Sequence, residues 1–78
     1  MNKYLLTKII EEACEVGQAG CKVQNYGKSR QRDFIRELAD LSAMTKLALD
    51  QMTTAQRELF NRQEESRMVR EVKKGKIK

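Results

Sequence analysis

Apolar residues recur every three or four positions along most of the chain, which is the spacing of amphipathic α-helices. A first apolar stripe runs from Leu5 to Val23 and stops at a polar stretch, residues 25–29. A second covers about residues 30–51, and a third, more polar one covers about residues 54–73. The pattern predicts an all-α fold with about three helices per protomer.

Residues that cap helices mark where these elements begin and end. Asn2 is a candidate N-cap for the first helix and Ser29 for the second, while Thr53 followed by Gln56 is typical of a capping box. The segment 25–27, Asn-Tyr-Gly, is typical of a turn that ends a helix.

Chain length and composition predict one small helical domain that associates with itself. The 78 residues are 40% apolar and 35% charged, with four Gly and no Pro. A core of this size is marginal alone, so we expect a homodimer or homotetramer in which the first two helices of two protomers complete a four-helix bundle. The predicted domain spans 1–78, with a core at 3–52, a third helix at 54–73 and a basic, frayed tail at 74–78.

The sequence shows no targeting signal and no Cys/His metal-binding motif, which narrows the class of protein it predicts. No stretch approaches the roughly 20 apolar residues that cross a bilayer, and no signal-peptide pattern is visible, so we expect a cytoplasmic protein without membrane contact. Without His, and with only Cys14 and Cys21, the usual zinc sites and Cys-His catalysis are excluded. We interpret both cysteines as small core residues, and any metal must be bound by oxygen.

Acidic residues on the two apolar helices are the main anomaly of the sequence. Glu11, Glu12 and Glu15 share one side of the first helix, and Glu37 falls within the apolar arc of the second. A buried carboxylate requires a partner. That partner is either a divalent cation or a basic side chain, and helical-wheel geometry leaves both open. The candidate basic partners are Arg36, Lys46 and Lys22.

Two segments carry a family resemblance. KIIEEACEV (8–16) holds an E-E-x-x-E motif, and RELADL (36–41) holds E-x-x-D, with 21 residues between Glu15 and Glu37. Together they resemble the two metal-binding helices of the all-α nucleoside triphosphate pyrophosphohydrolases, the MazG-like group related to dUTP/dCTP pyrophosphatases and phosphoribosyl-ATP pyrophosphatase. The resemblance covers roughly residues 5–51.

The resemblance implies hydrolysis of an NTP or dNTP between the α and β phosphates, with Mg²⁺ as cofactor and Mn²⁺ as a substitute. It implies that Glu12, Glu15, Glu37 and Asp40 bind the metal. Glu11 and Glu12 would be the catalytic acids, with Glu11 either a metal ligand or a residue that positions the attacking water.

Basic residues near the motifs are candidates for binding the substrate phosphates, although each is also typical of a solvated surface. These candidates are Lys8, Lys22, Lys28 and Arg30. Basic residues of the third helix, from the same or from a second subunit, form a second group: Arg67, Arg70, Lys73 and Lys74.

Two alternative functions stay open. The net charge of +5, the pI near 9.5 and the basic tail favour a small nucleic-acid-binding or adaptor protein. The acidic clusters argue against it because they would repel a phosphate backbone. The other alternative is a protein that keeps the fold and binds nucleotides without turning them over.

Overall fold

The computed structural model describes residues 1–77, which form three α-helices. Helix α1 spans Lys3–Tyr26, a 3₁₀ turn spans Gly27–Arg30, α2 spans Gln31–Asp50 and α3 spans Thr54–Lys73. The all-α prediction is confirmed. None of the helices in the described part of the chain is long and apolar enough to span a bilayer.

A short turn folds α1 and α2 into an antiparallel hairpin. Gly27 ends α1 with φ +80, a conformation that glycine adopts without steric penalty, and its N–H donates to the carbonyl of Val23. The predicted Ser29 cap is wrong, since Ser29 lies inside the 3₁₀ turn and α2 begins at Gln31. No side-chain cap is present there, because the chain stays helical through Arg30 and the Gln31 N–H reaches the carbonyl of Lys28.

The hairpin has a thin core. Among the described residues only Leu5, Ala19 and Ala48 are buried. Half-buried residues extend the contact between α1 and α2, among them Ile9, Val16, Phe34, Leu41 and Met44. One layer of two helices therefore leaves most apolar side chains in partial contact with water.

The prediction that Cys14 and Cys21 are core residues is wrong, because both are exposed free thiols. On a helix they lie roughly 160–180° around the axis from Leu5, which faces α2. Both cysteines follow the helical spacing of nearby apolar residues, which led to the core prediction. The hairpin, however, places no second element on that side of α1.

The open end of the hairpin is tied by polar contacts. The Asn2 side chain accepts the N–H of Leu5 as predicted for an N-cap, and the backbone N–H of Asn2 donates to Oε1 of Gln51 at 2.9 Å. The capping box of Thr53 and Gln56 is also confirmed. Arg57 then donates from its guanidinium to the carbonyls of Leu49 and Asp50, at 2.8 and 3.3 Å, and so fixes the direction in which α3 leaves.

Helix α3 projects from the hairpin instead of packing on it. The molecule measures 41 × 34 × 13 Å, and its radius of gyration is 14.7 Å, against about 11–12 Å for a compact chain of this length. No described residue of α3 is buried. The protomer is therefore a flat layer with a lateral arm.

Candidate metal centre

Three carboxylates converge where α1 packs against α2. Glu12 comes from α1, and Glu37 and Asp40 come from α2; one oxygen of each lies within 4.8 Å of the others. Glu37 and Asp40 are three residues apart and therefore project from the same side of their helix. Packing of the hairpin supplies the third acid, so the group depends on tertiary structure as well as on sequence spacing.

Two of these acids have a carboxylate oxygen that is buried without a hydrogen bond from the described residues. Glu12 and Glu37 are half-buried, and Oε2 of each is buried with no hydrogen-bond partner among residues 1–77; Asp40 is exposed. No lysine or arginine within residues 1–77 forms an ion pair with Glu37. Arg36 instead approaches Asp33, at 3.9 Å. Within the described residues, no basic side chain therefore neutralises the half-buried carboxylate of Glu37.

Burial and like charge both disfavour the ionised form of Glu12. Its pKa is raised above the ordinary glutamate value first by loss of contact with water, and then by the charge of Glu15 and a shared hydrogen bond with it. The charge of Asp40 adds to this, whereas Lys8 acts in the opposite direction.

Hydrogen bonding, burial and like charge also disfavour the ionised form of Glu37, and here hydrogen bonding is the largest cause. Its pKa is raised first by hydrogen bonding with Glu15, then by burial, and then by the charges of Glu15, Asp40 and Glu12. Two carboxyl groups share a hydrogen bond only when one of them carries a proton, so this contact favours the protonated form. When both are ionised, Oε2 of Glu37 has no donor.

The other two predicted acids lie around this triad. Glu15 affects the pKa of both Glu12 and Glu37, and with Glu37 it lines the neighbouring cleft. Glu11 is exposed and accepts a hydrogen bond from Nζ of Lys8 at 3.2 Å. This hydrogen bond is the first cause that raises the pKa of Lys8, whose ammonium also lies 5.6 Å from the centre of the Tyr4 ring.

A polar cleft of about 200 Å³ adjoins the triad. It brings together two acids of the motifs and two of the four predicted phosphate-binding residues, Lys22 and Arg30. Arg30 also lies over the ring of Tyr26, 5.4 Å from its centre. Lys8 and Lys28 do not line this cleft. Its lining residues are Glu15, Gln18, Ala19, Lys22, Arg30, Asp33 and Glu37.

Gln18 and Asp33 were not predicted from the sequence as site residues. Gln18 lies three positions after Glu15, and Asp33 lies four positions before Glu37. Residues at those spacings share a helix face with the motif acids, so the spacing alone was a usable signal.

A larger concavity lies elsewhere and has a different character. It occupies about 820 Å³ at the elbow between the hairpin and α3, and its apolar lining includes Met1, Met52, Leu59 and Phe60. None of the motif acids lines it. The volume of a cavity therefore does not identify the candidate metal centre, whereas the three converging carboxylates do.

Compared with known proteins, the chain matches no family model, no curated protein and no solved structure. The resemblance to the MazG-like enzymes therefore stays a prediction from the two acidic segments of the sequence.

Proposed function

We propose that the protein is a Mg²⁺-dependent nucleoside triphosphate pyrophosphohydrolase that cleaves an NTP or dNTP between the α and β phosphates. The products would be a nucleoside monophosphate and pyrophosphate. The observation that carries the proposal is the convergence of Glu12, Glu37 and Asp40 within 4.8 Å, at the positions of the two acidic motifs.

The donor set fits a hard divalent cation. Carboxylate oxygens are the ligands that Mg²⁺ prefers, and the unpartnered Oε2 atoms of Glu12 and Glu37 are free to bind it. Asp40 is exposed, which leaves space on that side for water and phosphate oxygens. Glu12, Glu15, Glu37 and Asp40 would hold the ion. When bound, Mg²⁺ supplies charge neutralisation at the phosphates and makes water more acidic.

The acids would also act as the general base for the attacking water. In the proposal Glu11 or Glu12 orients the water that attacks the α phosphorus and accepts its proton. Burial raises the pKa of Glu12 in the metal-free site, and a bound cation would favour its ionised, proton-accepting form. No nucleophilic side chain is needed, because attack by an oriented water accounts for both products.

The cleft beside the triad suits the leaving pyrophosphate. Lys22 and Arg30 line it together with the acids Glu15, Asp33 and Glu37. Once a metal offsets the charge of these acids, a chain of phosphates that begins at the metal could continue toward the two cationic groups. Arginine binds phosphate oxygens through two N–H groups, and lysine contributes a point charge. Lys8 and Lys28 are weaker candidates, since neither lines the cleft.

An assay of pyrophosphate release tests the proposal. Purified protein is incubated with Mg²⁺ and a panel of canonical and modified NTPs and dNTPs. We expect turnover of at least one nucleotide, and its loss in Glu37→Gln and Asp40→Asn with helix content unchanged. Glu65→Gln, which removes one exposed carboxylate from α3, is the matched control and should keep full activity.

Other outcomes would favour the alternatives. Mg²⁺-dependent nucleotide binding without pyrophosphate release would indicate a binding protein that has lost turnover. Binding of DNA or RNA that needs no Mg²⁺ and weakens steeply with salt would indicate a basic nucleic-acid-binding module.

A further inference from the structure

The concavity at the elbow between the hairpin and α3, which we call the elbow concavity, is built from three separate segments of the chain. Met1 precedes α1, Gln51 and Met52 follow α2, and Leu59 and Phe60 belong to α3. The α3 residues that line it recur every three or four positions, at 56, 59, 60, 63, 64 and 67, so one side of α3 faces the space. A molecule bound there would contact all three segments at once.

The elbow concavity has the size and the apolar lining of a small-molecule site. Ligand pockets typically have volumes of about 300–1,000 Å³ and are lined by apolar and aromatic side chains with a few polar groups. This one has about 820 Å³. Phe60 supplies an aromatic face for stacking, and the flexible side chains of Met1 and Met52 adapt to the outline of a flat ring. Leu59 is 60% exposed, so α3 leaves this surface open to water.

Two glutamines give the elbow concavity hydrogen-bond donors of fixed orientation. Oε1 of Gln51 accepts the backbone N–H of Asn2 at 2.9 Å, and Oε1 of Gln56 accepts that of Thr53 at 3.0 Å. Because a backbone N–H can only donate, each amide turns its oxygen to the protein and keeps its NH₂ group for another partner. Neither NH₂ group donates a hydrogen bond to another group of residues 1–77. A ligand of this site must therefore carry acceptors.

The charges around the elbow concavity do not favour an ion. Only two of the side chains that line it are charged, Glu64 and Arg67, and their charges are opposite. The guanidinium of Arg67 is already paired with Glu71, whose Oε1 lies 2.9 Å from its Nε. A hydrocarbon chain suits the site no better, because it would cover both NH₂ groups without offering them an acceptor.

We propose that the elbow concavity binds a neutral planar heterocycle with carbonyl oxygens on its edge, which is the chemistry of a nucleobase such as uracil, thymine or guanine. The ring stacks on Phe60, and its carbonyl oxygens accept hydrogen bonds from the NH₂ groups of Gln51 and Gln56. Since these residues belong to the end of α2 and to α3, binding fixes the direction of α3 relative to the hairpin.

This site is separate from the carboxylate triad. Glu12 lies nine residues after the start of α1 at Lys3, which is about 14 Å of helix, and none of the motif acids lines the elbow concavity. The proposal therefore does not rest on the proposed hydrolase activity, and either can fail without the other.

Titration of the full chain with nucleosides, followed by amide NMR spectra, tests the proposal. The probes are uridine, thymidine and guanosine, without phosphate and without Mg²⁺, so that the metal centre takes no part. We expect at least one of them to shift the amide signals of residues 51–53 and 56–67. Indole, a flat ring with one N–H donor and no carbonyl acceptor, should bind more weakly by about twofold or more.

Two substitutions remove the donors without removing the protein's own hydrogen bonds. In Gln51→Glu and Gln56→Glu a carboxylate oxygen still accepts the N–H of Asn2 or Thr53, but the NH₂ group is gone. Each variant should weaken nucleoside binding by about two- to tenfold, the effect of one lost hydrogen bond. Asn61→Asp adds the same charge to α3 at an exposed position outside the elbow concavity and should bind as wild type does.

A second pair of substitutions tests the apolar lining. Leu59 and Met68 are large apolar residues of α3 with nearly equal exposure, 60% and 62%, but only Leu59 lines the elbow concavity. Leu59→Ala should weaken binding by roughly fourfold, the value of one methylene group removed from contact, and Met68→Ala should not weaken it.

Four results would overturn the proposal. No nucleoside might shift these amide signals at millimolar concentration, Gln51→Glu and Gln56→Glu might both bind as wild type does, or Leu59→Ala and Met68→Ala might lose binding equally. The fourth is a shift of the same signals when the protein is diluted without any probe, because a second copy of the chain would then occupy the elbow concavity.

Discussion

Glu12 of α1 and Glu37 of α2 bring carboxylate oxygens within 4.8 Å of each other, and each keeps a buried Oε2 that receives no hydrogen bond from the described part of the chain. An ionised pair in this arrangement disfavours the fold unless a cation joins it. The same two residues therefore link stability, pH and metal binding, which can be measured separately.

Mg²⁺ should raise the thermal stability of the protein. A ligand present at 100 times its Kd adds about 2.7 kcal/mol to the free energy of unfolding when it binds only the folded state. We expect a rise in Tm on Mg²⁺ titration, followed by circular dichroism, that is absent in Glu37→Gln. Glu65→Gln, at an exposed position on α3, should respond as wild type does. An equal response of Glu37→Gln and wild type would place the metal elsewhere.

The metal-free protein should lose stability as pH rises through the titration of Glu37. The pKa of Glu37 in the folded state is raised above its ordinary value of 4.5, first by hydrogen bonding with Glu15, so the folded state binds more protons between the two values. The free energy of unfolding then falls as pH rises across that window. Glu37→Gln removes this contribution, and without metal its Tm should exceed that of wild type more at pH 7 than at pH 4.5.

A contrary result is easy to recognise, because the comparison is made between two proteins under identical buffers. If Glu37→Gln has a lower Tm than wild type at pH 7 without metal, the carboxylate has a stabilising partner that the structure does not contain.

Substitution of Lys22 should weaken binding of the phosphate chain. Lys22 lines the cleft beside Glu15 and Glu37, and loss of one charge-assisted hydrogen bond of about 1.5–3 kcal/mol lowers affinity by about tenfold or more. Lys22→Ala should therefore weaken pyrophosphate binding by that factor in isothermal titration calorimetry with Mg²⁺ present. Lys28→Ala, an exposed lysine outside the cleft, is the control. Similar losses in both variants would indicate only a general effect of charge.

Removing the cap of α3 should loosen that helix without unfolding the hairpin. Thr53→Ala deletes an N-cap that accepts the N–H of Gln56, a change of about 1 kcal/mol. Because α3 contributes no buried residue, we expect faster amide hydrogen exchange in its first turns and unchanged exchange in α1. Thr54→Ala, at the next position, should leave both unchanged. Faster exchange in α1 after Thr53→Ala would show that α3 and the hairpin unfold together.

The helix ends that depend on local contacts were predictable from sequence. Asn2 and Thr53 cap helices through side chains within a few residues, and both caps form as expected. The start of α2 was not predictable in this way, because a continuous 3₁₀ turn replaces the Ser29 cap. Cys14 was misassigned to the core because apolar periodicity does not report how many neighbouring helices are available.

The candidate site was likewise predictable where it depends on local spacing and not where it depends on helix packing. Spacing along a single helix was enough to predict that Glu37 and Asp40 share a side. The proximity of Glu12, and the grouping of Lys22 with Arg30 in one cleft, depend on how α1 and α2 are aligned. Lys8 and Lys28 are equally close to the motifs in sequence, yet that alignment leaves them outside the cleft.

The turn of four residues at Gly27–Arg30 sets that alignment. One inserted residue would rotate α2 by about 100° and advance it by about 1.5 Å relative to α1. Arg36 would then occupy the position of Glu37 opposite Glu12, and Ala39 that of Asp40. The number of residues in the connection is thus as strict a requirement for the carboxylate triad as the identity of its acids, although it changes no acid at all.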